Sequence, residues 1–260
     1  MSASRAPARA FLGAVVLLAA LAALPVSTLA AAPSVASSRM LVLFNIDKGQ
    51  LPENMAPAPG GALDVVLNGA GEVAQVGPGG RVKILATLPA PADGGVNTPL
   101  VKSAFTAGMV RAPDGTIYTL YSTGTSGQTG IYRIVPGGTP QLIVALPATS
   151  LANGLALDTS THELYVSDSA LGVVWRAPQA GGTPEMWASG AALAPTSFLG
   201  ANGLKLHDHA IWVSNTDAGT ILRIPIESGG GAGPISVFAS GLATIDDFNF
   251  VGSGNEIVAA

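Results

Sequence analysis

From about Met40 to Ala260, apolar and polar positions alternate in short runs bounded by Gly, Pro, Asn or Asp. Alternation with a period of two marks half-buried strands. Pairs such as Gly79-Gly80, Asp114-Gly115 and Pro136-Gly137 between the runs are hairpin punctuation. Beyond the first forty residues no long segment carries apolar residues at the 3.6-residue helical period, so the chain is expected to be all-β.

The runs repeat. NGLALDTSTHELYVSDSALGVVWRAP from Asn153 and NGLKLHDHAIWVSNTDAGTILRIP from Asn202 share one order: a strand, a polar turn, a strand rich in aromatic and β-branched residues, a Gly-containing turn, and a third strand ending at Pro. The same frame fits from Glu53, Ala107 and Asp246. Its first apolar position, expected to be buried, falls at Met55, Met109, Leu155, Leu204 and Phe248. A fourth strand closes the complete units, at 82–87, 141–146, 184–188 and 235–239. Four short antiparallel strands per repeat, at a period in this range, predict the blades of a β-propeller.

The fifth unit has a strand near Phe248 and a second near Glu256 to Ala259 before Ala260. Because an open ring leaves edges unpaired, the chain is expected to be a six-bladed β-propeller truncated within blade five. Met40–Asn45 is expected to be the outer strand that completes the closing blade. The domains expected are 1–32 as a secretory signal, 33–52 as the segment carrying that outer strand, and 53–260 as the propeller.

The signal is read from Arg5 and Arg9, the uncharged stretch from Ala10 to Val26, and the small residues from Ser27 to Ala32 before Pro33. That order is basic, apolar, then cleavable, and the apolar stretch is short for a membrane span. An exported protein, secreted or periplasmic, is expected, with no membrane contact after cleavage. There is no Cys, so neither a disulfide nor a lipid anchor through Cys is available. With 12 basic and 16 acidic residues in the whole chain, clustered phosphate-binding charge is lacking and nucleic acid is excluded as a partner.

Two residues before each first apolar position stand Glu53, Ala107, Asn153, Asn202 and Asp246. In a propeller these positions begin the innermost strands, which crowd around the central channel. Four of the five carry oxygen donors, and carboxylates with Asn carbonyls are the usual donors for calcium. Glu53 and Asp246 would balance the charge of one calcium ion, with Asn153 and Asn202 adding neutral oxygens. Zinc is disfavoured, since there is no Cys and His162, His207 and His209 fall in turns between first and second strands, where surface placement is expected. Each Asn-Gly taken singly is a common turn pair; recurrence at one phase is what carries the metal reading.

The motifs ENMA, ANGLALD, GANGLKL and IDDFNF, with ELYVSDS and AIWVSNT following two of them, resemble the six-bladed family that contains senescence marker protein, gluconolactonase and luciferin-regenerating enzyme. The order Glu, none, Asn, Asn, Asp over five blades is also similar to that of paraoxonase and diisopropylfluorophosphatase. The resemblance implies that Glu53, Asn153, Asn202 and Asp246 are calcium ligands. It implies that Asp246 is also the general base or nucleophile, and that Asp247 is a ligand or a supporting residue beside it. The activity implied is calcium-dependent hydrolysis of a lactone or related ester, with a small molecule as substrate. The alternative is a non-catalytic propeller, stabilised by calcium, that binds a ligand or a protein.

Other chemistry finds less support. Ser126 lies in a Gly-rich hairpin turn and not in a strand-turn-helix elbow. The Gly-rich stretch from Ser228 to Pro234 lacks a following Lys and helix. Trp175, Trp187 and Trp212 alternate with core positions, which predicts packing between blades.

Overall fold

The computed structural model describes residues 39–260; the expected signal, 1–32, lies outside the described residues. Among these residues there are eighteen strands, two single-turn 3-10 helices, and no helix long and apolar enough to cross a membrane. The first sheet holds β1 (Pro52–Ala58), β2 (Ala62–Leu67), β3 (Glu72–Val76) and β4 (Val82–Thr87). The second holds β5 (Phe105–Arg111), β6 (Ile117–Ser122), β7 (Gly130–Ile134) and β8 (Gln141–Ala145). The third holds β9 (Ala152–Asp158), β10 (Glu163–Asp168), β11 (Val173–Pro178) and β12 (Glu185–Ser189). The fourth holds β13 (Ala201–His207), β14 (Ala210–Asn215), β15 (Thr220–Pro225) and β16 (Ser236–Ala239). A two-stranded hairpin follows, β17 (Phe248–Phe250) with β18 (Ile257–Ala259).

Every sheet is an antiparallel meander in chain order, its strands joined to their sequence neighbours. The link from β13 to β14 shows the local cause. Asp208 and His209 both take positive φ, 47° and 50°, with His207 paired to Ala210. Two left-handed residues in a two-residue loop match the twist of the strands they join.

Successive sheets stack through their first strands, β1 on β5, β5 on β9, β9 on β13 and β13 on β17. The repeated apolar position makes each seam. Met109 packs with Val66 and Val73 of the sheet before it, Leu155 with Leu120 and Ile131, Leu204 with Tyr165 and Val174, and Phe248 with Trp212 and Ile221. Fully burying such a side chain contributes about 1.5–3 kcal/mol, so these four residues clamp five units into one arc.

Met55 departs from the expectation of burial, being 58% exposed. Its counterparts pack on a preceding sheet, and β1 has none among the described residues. The face of the first sheet that such a neighbour would meet, Val65, Leu67, Ala74 and Val76, is covered by Leu41, Val42 and Phe44. That segment lies outside any sheet of the described residues.

The tryptophans pack as expected. Trp212 is 1% exposed and Trp187 meets Tyr165 edge to face at 5.1 Å. Each indole N–H finds an oxygen: Trp175 donates to Asp168, Trp187 to the Gly230 carbonyl and Trp212 to the His207 carbonyl.

Candidate functional site

In each complete sheet the pairing of first and second strands slips by one residue at the same place. Pro52 faces Leu67 and Met55 faces Val65, so Glu53 and Asn54 together stand opposite one residue. The slips between Thr106 and Met109, between Ala152 and Leu155, and between Ala201 and Leu204 are the same. At the fifth unit Phe248 pairs with Ala259. The Asp246 N–H donates to the Ala260 carbonyl and the Ala260 N–H to the Asp247 carbonyl, again setting two residues against one. A β-bulge bends its strand and re-aims the side chain it carries. Glu53, Ala107, Asn153, Asn202 and Asp246 are each the first residue of a bulge, so one phase of the repeat falls at the same bend of every inner strand.

The second bulge residue explains the recurring Gly. A Cβ on Gly108 would sit 2.3 Å from the Asn153 carbonyl oxygen, one on Gly154 2.4 Å from the Leu204 nitrogen, and one on Gly203 2.2 Å from an Asp247 carboxylate oxygen. Read singly, Asn153-Gly154 and Asn202-Gly203 are turn pairs; the structure places both inside strands, where neighbouring inner strands touch and only hydrogen fits. Hydroxyls from second strands tie the bulges together: Ser167 donates to the backbone carbonyl of Asn202 and Ser214 to the backbone carbonyl of Asp246 at 2.6 Å.

Asn202 is the buried floor of the cluster, 1% exposed. Its amide nitrogen donates one hydrogen to Asp246 Oδ1 at 2.8 Å and the other to Thr216 Oγ1 at 2.7 Å. Its carbonyl oxygen Oδ1 is buried with no hydrogen-bond partner. Glu53 is exposed as a whole residue, yet its carboxyl is packed round by protein atoms. That burial and then the charge of Asp246 push it up to about 7, against a lowering hydrogen bond from Asn68; Asp247 adds a smaller push. Asp247 differs from its two acidic neighbours in having a counter-ion, since Lys205 Nζ donates to both its oxygens at 2.7 and 2.8 Å. Glu53, Asn202, Asp246 and Asp247 are therefore one interacting group. Asn153 holds the equivalent bulge position on β9, with its side chain not hydrogen-bonded to those four.

Two features of this group suit an oxygen-seeking divalent cation. Leaving a buried acceptor unsatisfied costs about 1–3 kcal/mol, and the Asn202 carbonyl is such an acceptor. Glu53 and Asp246 raise each other's energy when both are charged, and a cation between them reverses that sign. Carboxylate and amide oxygens are the donors calcium takes. Among the described residues no three His, Cys, Asp or Glu side chains are grouped closely enough to hold a metal by themselves.

A cavity of about 520 Å³ is lined by residues further along the same inner strands, including Met55, Arg111, Leu157 and His207. His207 is partly buried there and is not the surface turn residue expected from sequence. It ends β13 and its ring stacks on Phe250 at 3.9 Å. His162 and His209 do lie in turns. Sequence reasoning passed over Asn68, Thr216 and Lys205; the repeat held a signal for the first two, which both follow the last residue of a second strand.

No protein-family model and no curated protein matches the sequence. Solved structures do. A periplasmic gluconolactonase of Pseudomonas aeruginosa shares 17% identity at a TM-score of 0.64, covering 80% of this chain and 62% of that one. A catalytically inactive variant of virginiamycin B lyase from Staphylococcus aureus, with quinupristin, shares 18% at 0.58, covering 82% and 64%. A luciferin-regenerating enzyme shares 14% at 0.56, covering 78% and 67%. The chain thus spans just under two thirds of the length of the gluconolactonase and the lyase.

Proposed function

We propose that this chain, whose fold is the β-propeller of the gluconolactonase-like proteins, is an exported calcium-dependent hydrolase acting on a lactone or related ester. The observation that carries the reading is the unpartnered, buried Asn202 carbonyl oxygen beside the crowded carboxylates of Glu53 and Asp246. Glu53, Asn153, Asn202 and Asp246 would hold the ion, with the ring six-bladed and Met40–Asn45 belonging to its closing blade. Leu41, Val42 and Phe44 support that placement, since they lie on the face of the first sheet that a closing blade would cover.

Calcium, when bound, supplies positive charge that polarises a substrate carbonyl and stabilises the oxyanion formed from it. The protein's own part falls to Asp246. Its Oδ1 is engaged by the Asn202 amide, which fixes the carboxylate's orientation. Asp246 takes a proton from water as the water oxygen bonds to the lactone carbonyl carbon. The ring C–O bond then breaks, and the proton passes to the departing alkoxide, giving a hydroxy acid. Lys205 neutralises Asp247, which leaves Glu53 and Asp246 without a counter-ion among the described residues, and the proton transfer is assigned to Asp246.

The test is a calcium titration of the full-length protein followed by lactone and aryl-ester assays. An ion that binds only the folded state raises Tm by mass action. A Tm that rises with calcium, with turnover lost on chelation, is expected. A folded protein whose Tm ignores calcium overturns the metal site, and calcium binding without turnover on any ester favours a binding module. Export is tested by the N-terminal mass of the secreted protein, expected to begin between Ser27 and Pro33.

A further inference from the structure

Asn202 is held by a part of the repeat to which no role has yet been given. The residue directly after the second strand is Asn68 in the first sheet and Thr216 in the fourth. Asn68 Oδ1 accepts from the Thr106 N–H at 3.4 Å. Thr216 Oγ1 accepts from Asn202 Nδ2 at 2.7 Å, and its own N–H is fixed to the Gly200 carbonyl. In the fourth sheet this step of the repeat grips the side chain of the first bulge residue.

We propose that Thr216 is a positioning residue for the cation site; the inference rests on the calcium reading above. An Asn amide has two hydrogens and one carbonyl oxygen, and a half-turn exchanges them. Thr216 takes one hydrogen of Asn202 and Asp246 takes the other. Turning the amide over would press its carbonyl oxygen against the Asp246 carboxylate. Two acceptors on the nitrogen side therefore hold the oxygen side outward, bare and buried, as a metal ligand must be. Without Thr216 only Asp246 orients the amide. Calcium would compete for that same carboxylate, so the amide would lose its second support as the ion arrived.

A bland reading is that Thr216 only closes the turn after β14. The two readings separate because a closing role changes stability without calcium, whereas a positioning role changes calcium affinity at equal stability. The experiment compares wild type, Thr216→Val and Thr216→Ser. It measures calcium affinity by calorimetry, unfolding in chelator, and hydrogen exchange of the Asn202 side-chain amide by NMR. Val keeps the shape and removes the acceptor, and Ser returns it. Thr216→Val is expected to bind calcium about three- to tenfold more weakly, the range one neutral hydrogen bond spans. Thr216→Ser is expected to recover most of that loss. One Asn202 amide hydrogen should exchange faster in Thr216→Val alone.

If wild type and Thr216→Val bind calcium equally, or if Val loses stability in chelator but no affinity, the positioning role is overturned while the calcium reading stands. If wild type binds no calcium, the calcium reading falls, and the amide measurement still decides whether Thr216 orients Asn202. Unchanged exchange in Thr216→Val overturns that too.

Discussion

Lys205 Nζ lies 2.7 and 2.8 Å from the two carboxylate oxygens of Asp247, bridging the inner strands of the fourth and fifth units, and 5.7 Å from the centre of the Phe248 ring. Of the three acids gathered at the bulges, Asp247 is thereby neutralised. Glu53 and Asp246 press on each other. Lys205→Met would leave Asp247 uncompensated beside them. Calcium is then expected to bind about threefold more tightly at low salt, with the gain fading near 1 M salt, where screening reaches within ~3 Å. Calorimetry at two ionic strengths checks this. Equal affinity in both proteins would mean that Asp247's charge is not felt at the site.

Asp246→Asn keeps an oxygen at the bulge and removes the charge that accepts a proton. It is expected to retain calcium, with affinity reduced, and to lose about a hundredfold or more in kcat, the lower end for a general base. Asn153→Ala is expected to lose activity in proportion to calcium occupancy and to recover it when calcium is raised. Full activity of Asp246→Asn at saturating calcium would remove Asp246 from the chemistry.

Gly154→Ala is expected to destabilise the protein by about 1–3 kcal/mol, the usual cost of forcing extra volume into a packed seam. The added Cβ would meet the Leu204 nitrogen at 2.4 Å and the Asn202 carbonyl oxygen at 2.7 Å, both backbone. Gly229→Ala, with nothing within 4 Å, serves as the control and should stay within about 0.5 kcal/mol of wild type. Chemical denaturation of both variants decides it; a neutral Gly154→Ala would mean the inner strands are less tightly apposed.

Asp217 predicts a pH signature. Burial of its carboxyl alone would raise it, but N–H bonds from Ser197, Phe198, Leu199 and Thr196 together hold it below the usual carboxylate range. A depressed folded-state value stabilises above the unfolded value near ~3.9 and is lost as pH falls through the folded one. Asp217→Asn is therefore expected to melt about 3 °C lower at pH 7, the order of shift for a domain of this size. The gap to wild type should close in acid. A gap that persists unchanged at pH 3 would trace the loss to packing and not to the carboxylate.

The strands were legible because their cause is local. Alternation and turn residues placed β4, β8 and the hairpin of β17 and β18 to within a residue or two of where they lie, since each is decided by near neighbours in sequence. Burial at Met109, Leu155, Leu204 and Phe248 was legible through the repeat, whereas Met55 was misjudged by the same repeat. Its environment depends on which sheet precedes it, and that is a matter of position in the arc.

The sequence by itself determined that the chain is built of repeated four-stranded units and that Glu53, Asn153, Asn202 and Asp246 share one phase of them, because a period is a property of the chain alone. What those residues meet was decided only by tertiary structure. The bulges turn them, the glycines after three of the five bulge positions let inner strands touch, and Asp246 comes within 2.8 Å of Asn202 across forty-four residues. The bare carbonyl of Asn202, the counter-ion on Asp247 and the stack of His207 on Phe250 arise between units. Contacts between units follow from packing around a common axis, a long-range geometry that no local pattern of apolar and polar residues encodes.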